Sequence, residues 1–192
     1  MLSVSHDLAR GGDWALLQMA MNAISGMNAQ LFERDMHGLD DILHASLLAT
    51  PMGRCRRMAI LKLDDKVQAS EANHVDQQDA SIRAHFDEAE KMLILPEGKA
   101  KLAEARATYA EYLASTREVL RLTRAQNQKA ALDLENSKTK VLGDQLDKEL
   151  EQLVAIKQGV GKKTYEAGLE VFSRSRNTLV VAVAITILLA IG

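Results

Sequence analysis

Apolar residues recur along this chain at helical spacing and mark out four stretches. In the first, which begins near Trp14, the positions Ile24, Met27, Leu31, Leu39, Ile42, Ala49, Met52, Ala59, Leu63 and Val67 follow one another in steps close to the repeat of a bundle-facing helix. Thr50-Pro51 interrupts this stretch. Proline cannot donate to an internal turn, so either the helix kinks there or Thr50 caps it and Pro51 opens a fresh helix. A kinked continuation is the expectation. The polar run QASEANH, residues 68–74, then drops the stripe and reads as a turn.

The second stretch puts Val75, Ile82, Phe86, Ala89 and Leu93 on one face, and Leu95-Pro96 ends it, because a residue before proline is biased away from helical angles. A third helix from about Glu97 turns Leu102, Tyr109, Leu113, Thr116 and Leu120 inward until RAQNQKA dilutes the pattern. The fourth shows Leu142, Leu146, Leu153, Ile156 and Val160, then Tyr165, Leu169 and Phe172, and continues into the apolar end of the chain. A tight turn between the second and third helices makes them antiparallel. Packing four such stripes inward predicts an all-α fold, an antiparallel up-down four-helix bundle.

From Thr178 to Gly192 the residues are apolar apart from two threonines. About 15 residues at ~1.5 Å each reach only ~22 Å, short of the ~30 Å hydrocarbon core of a bilayer. The run is apolar on every face and follows the polar SRSRN, so it reads as an incomplete C-terminal transmembrane helix rather than a packed core element. The expected organisation is a polar tail over 1–13, the bundle over 14–177 and the membrane segment over 178–192.

Composition supports the helices and narrows the function. Ala, Leu, Glu, Lys, Arg and Gln dominate, and there are only 2 prolines. With 26 acidic and 24 basic residues, a net charge of -2, nothing draws the chain to nucleic acid. The single cysteine, Cys55, cannot form an intramolecular disulfide and lacks spaced Cys/His partners. His6, His37, His44, His74 and His85 are scattered without the spacing of a metal-binding helix face, so no metal site is expected. QGVGKKTYEAG resembles a phosphate-binding loop only superficially, since Ile156 stands where its first glycine is needed and Lys163 where Ser or Thr is needed. Gly159 and Gly161 there read as sites of close helix packing. No nucleophile is marked locally, and neither an enzyme nor a cofactor is expected.

GRCRRMAILKLDD is the segment with chemical content. Arg56 continues the first helix's inward stripe, with Arg54 and Arg57 beside it. A cation on a core-facing seam is costly unless paired. Either a carboxylate of the bundle meets it, or a bound small anion does. Arg54, Arg56 and Arg57 are therefore the candidate ligand-binding residues.

ISGMNAQLFERDMHGLDDI, with Phe32-Glu33-Arg34-Asp35 at its centre, resembles the start of the four-helix-bundle sensory module of bacterial methyl-accepting chemotaxis receptors. The order of elements continues the likeness through RCRRMAILKLDD, the Ala-rich KLAEARATYAEYLASTREVL, and a fourth helix ending in VFSRSRN. The resemblance covers roughly Ala23 to Gly192. It implies a homodimeric module on the extracytoplasmic side of a bacterial inner membrane, binding a small ligand such as a carboxylate and passing a helix displacement across the membrane. Two departures stand out: the residues before the bundle are too polar for a first membrane helix, and no cytoplasmic signalling region follows. Arg174 and Arg176 precede the apolar end, and by the positive-inside rule that side faces the cytoplasm. A tail-anchored cytosolic bundle, or a soluble helical adaptor, is the alternative.

Overall fold

The structure is a computed structural model that describes residues 18–19, 21–61 and 64–191. The expected polar tail over 1–13, Trp14, Leu63 and Gly192 lie outside the described residues. Helix α1 covers residues 21–29 and runs through a π-helical segment, Gln30–Met36, into α2, His37–Leu61. Then come α3, Asp65–Met92, and α4, Pro96–Arg124. The short α5, Gln128–Leu134, passes through a second π-helical segment, Glu135–Thr139, into the long α6, Lys140–Ile191. The described residues form four helical stretches and no strand.

The boundaries follow local chemistry. Pro96 occupies the first turn of α4 behind the extended Leu95, as the sequence predicts. Between α4 and α5, Gln126 adopts the left-handed conformation (φ 57°) and Asn127 caps α5 by accepting from the Ala130 amide. The first turn differs from expectation. QASEANH is helical, and the chain turns earlier, where Asp64 caps α3 by accepting from the Lys66 and Val67 amides. Gln, Ala and Glu lose little in a helix, so a polar stretch without a breaker continues one, here with Gln68 buried and Ala72 packed against the core. Val67 accordingly belongs to α3 rather than to the first helix. Pro51 lies inside α2, which continues through it, so no second helix starts there.

The chain divides into two compact units. In the unit spanning residues 37–158, Ile42, Ala49 and Met52 of α2, Val75, Ile82 and Phe86 of α3, Leu102, Tyr109 and Leu113 of α4, and Leu146, Leu150 and Leu153 of α6 share one core. Phe86 and Tyr109 meet edge to face, 5.7 Å between centroids, an arrangement worth ~0.5–1.5 kcal/mol beyond burial. Asp79 is buried beside them and accepts from Tyr109 Oη, Arg83 Nε and Arg117 NH2, so its charge is fully met.

In the other unit, residues 18–36 and 159–191, Leu31 and Met27 of the first helical stretch approach Gly161 and Gly168 of α6. Asp35, buried, takes two hydrogen bonds from Arg34 and one from Thr164. Tyr165, Leu169 and Phe172, expected to face inward, are each more than half exposed. The small residues Gly161, Thr164 and Gly168 take the packed face instead, because they admit a closer neighbour, and the larger apolar side chains one position later flank it. The expected C-terminal transmembrane helix is not found. No helix among the described residues is long and apolar enough to cross a membrane, since the polar Ser173–Asn177 region precedes too short an apolar run.

Candidate functional site

The π-helical segment at Glu135–Thr139 positions the main polar constellation of the bundle. Ala131, Glu135 and Thr139 are all buried, a spacing of four and four that a regular α-helix would let drift off the inner face. The wider π turn keeps them aligned. Thr139 meets Ser115 of α4 at 2.6 Å, and Glu135 meets Arg56 of α2.

Arg56 is 3% exposed and its fork of donors is almost fully used. Nε donates to Glu135 Oε2 at 2.8 Å and NH2 to Glu135 Oε1 at 3.2 Å, a bidentate pair. NH1 donates to Tyr112 Oη at 2.6 Å and to Thr116 Oγ1 at 3.1 Å, while the guanidinium lies 4.8 Å from the centre of the Tyr112 ring. Burial works against the cation, but the bonds to Glu135 and Tyr112 outweigh it and hold Arg56 above the ordinary arginine range. Burial also pushes the Tyr112 phenol up, against the opposing pull of Arg56.

One side of this constellation opens into a cavity of about 560 Å³ between α2, α4, α5, the π segment and α6. Its wall carries both signs of charge: Arg56, Arg57 and Lys140 against Glu135, Asp144 and Asp147. Apolar surface comes from Ile60, Leu61 and Leu132. One glycine, Gly143, makes room beside Tyr112, while Gly53 would take a Cβ in ordinary contact. A Cβ at Gly53 would stand 3.7 Å from Arg56 NH2 and 3.8 Å from Arg57 NH2, and one at Gly143 would press on the Tyr112 ring at 3.2 Å. Asp147 is exposed, yet partial desolvation at the cavity wall, with Asp144 and Glu151 nearby, raises its carboxyl above the usual range.

The three arginines singled out by sequence separate here. Arg56 faces inward as expected and is met by a carboxylate of the bundle. Arg57 is exposed at the cavity wall and, among the described residues, has no carboxylate partner. Arg54 is exposed and does not line the cavity. Sequence reasoning required a partner for Arg56 but did not identify Glu135, which is 79 residues away in another helical stretch. Tyr112 had a readable signal, since it lies three residues after Tyr109 and next to Leu113 on the inward side of the third helix.

The family described as a four helix bundle sensory module for signal transduction matches residues 19–172, most of the chain. No curated protein and no solved structure matches it.

Proposed function

The chain belongs to the four-helix-bundle sensory modules for signal transduction, and on that premise we propose that its cavity is the sensory site, taking a small ligand that bears a carboxylate. The observation that carries this reading is the 560 Å³ space with charges of both signs on its wall. Its volume falls within the ~300–1,000 Å³ of small-molecule sites, with a few polar groups on a partly apolar lining. Arg57 and Lys140 are the cations available to an anionic group; Arg56 positions the wall by tying α2 to α4 and to Glu135. Ligand that draws Arg57 and Lys140 together shifts α6 relative to α2, the displacement a sensory module transmits. The module works as a homodimer in a membrane receptor, extracytoplasmic, with the apolar end of α6 against lipid. Val180, Val181, Ile185 and Leu188 there are exposed apolar groups that water solvates poorly, and Tyr165, Leu169 and Phe172 supply the apolar surface for a second copy.

A thermal-shift screen of organic acids and amino acids on the 192-residue protein tests the sensory assignment. A compound bound here, at a hundred times its Kd, stabilises by ~2.7 kcal/mol. Arg57→Ala removes that shift while leaving unliganded stability within ~0.5 kcal/mol, because Arg57 is exposed. The absence of any stabilising compound, or a shift that persists in Arg57→Ala, refutes it.

A further inference from the structure

On the opposite flank of α2 from the cavity wall, the chain brings together three side chains of different chemistry. Cys55 is 1% exposed on α2; Glu71 and His74 lie three residues apart on α3, so both project from one helix face. One donor atom from each, the Cys55 Sγ, a Glu71 carboxylate oxygen and a ring nitrogen of His74, lie within 4.8 Å of one another. His74 Nδ1 is already 3.7 Å from Glu71 Oε2. A tetrahedral ion with bonds of about 2.0–2.3 Å needs its ligand atoms roughly 3.3–3.8 Å apart. The His74–Glu71 edge meets that value, and the other two edges, within 4.8 Å, close by small side-chain movements of all three residues.

We propose that Cys55, Glu71 and His74 form a binding site for a divalent transition metal of the zinc class. Thiolate, imidazole and carboxylate together suit Zn²⁺ and its neighbours, whereas calcium and magnesium take oxygen ligands. The depth of the ligands fits a three-residue site: Cys55 is enclosed, Glu71 is 17% exposed by side chain and His74 52%, so the fourth coordination position opens towards solvent on the His74 side. Burial and the hydrogen bond with Glu71 push the Cys55 thiol up to about 11. Forming the S–metal bond releases the thiol proton to solvent. Arg54 and Arg56 both act on this thiol in the opposite sense, favouring the thiolate. The Arg56 cation is matched by Glu135. Metal held here ties α2 to α3 one residue away from Arg56, in the same helix that forms the cavity wall.

Co²⁺ titration of the reduced 192-residue protein is the test, because a thiolate ligand gives cobalt a sulfur-to-metal charge-transfer absorption that surface histidines cannot produce. One equivalent should develop that absorption, Zn²⁺ should bleach it, Cys55→Ser should abolish it, and His74→Ala should weaken binding at least ~10-fold. His74 is half exposed, so its variant keeps the fold, checked by circular dichroism, and it decides the matter even if Cys55→Ser does not fold. Cobalt binding without the sulfur band, or an unchanged Kd in both His74→Ala and Glu71→Gln, overturns the proposal. Neither result depends on whether the cavity binds a ligand.

Discussion

Truncating Arg56 should be among the most damaging single substitutions in this protein, and its partner should rescue much of the loss. Arg56→Met removes four hydrogen bonds and leaves the Glu135 carboxylate, 10% exposed by side chain, without its cation. Breaking a buried pair from one side costs ~3–5 kcal/mol, most of it the penalty of the stranded charge. For a domain of this size each kcal/mol lowers Tm by ~2–4 °C, so a fall of roughly 6–20 °C is expected. Glu135→Leu alone strands the guanidinium and should cost a comparable amount, softened by the bonds Arg56 keeps to Tyr112 and Thr116. The double variant leaves no unpaired charge, so its loss should be smaller than the two single losses added, by about 1–3 kcal/mol. Urea unfolding of the four proteins, followed by helical circular dichroism, measures the cycle. A loss under ~1 kcal/mol for Arg56→Met with no coupling to Glu135 would refute the pairing and return Arg56 to the ligand.

Leu146, 1% exposed in the shared core, and Glu151, exposed five residues later, test the facing of α6: Leu146→Ala should cost ~2–5 kcal/mol and Glu151→Gln less than ~0.5 kcal/mol, and equal melting temperatures would sink the assignment. Asp147 gives a pH signature. Its folded carboxyl is raised, so the folded state holds the proton more readily, and the group's contribution to stability falls as pH rises from the ordinary carboxylate range through the raised value. Asp147→Asn should therefore be more stable than wild type at neutral pH, with the gain vanishing in acid; urea midpoints that differ by the same amount at every pH would contradict this.

The bundle was legible wherever a side chain's position depends on helical spacing alone. Val75, Ile82, Phe86, Ala89 and Leu93 are all buried as read, and so are Leu102, Tyr109, Leu113, Thr116 and Leu120. Leu95-Pro96 marks its boundary through backbone sterics, which act locally. The errors share a cause. At Asp64 the capping carboxylate, rather than the loss of apolar residues, starts α3, and an apolar count cannot see a cap. At Tyr165, Leu169 and Phe172 the count favours the large side chains, while the close approach of Leu31 and Met27 is set by the small ones. The site itself was half legible: the need to match Arg56 follows from electrostatics, but the identity of Glu135 and the meeting of Cys55 with Glu71 and His74 come from the tertiary pairing of helices.

The π segments also keep count. From Asp35 the inward positions Ile42, Ala49 and Arg56 follow at intervals of seven, and from Thr139 so do Leu146 and Leu153. Met27 to Asp35 and Ala131 to Thr139 are each eight apart, one residue beyond the heptad. A sequence with one residue fewer inside either segment would keep the helices on both sides in phase and simply close the wide turn into an ordinary one. The same deletion ten residues away would rotate everything beyond it by about 100° and turn the core face to water. The extra residue is thus dispensable to the bundle's register.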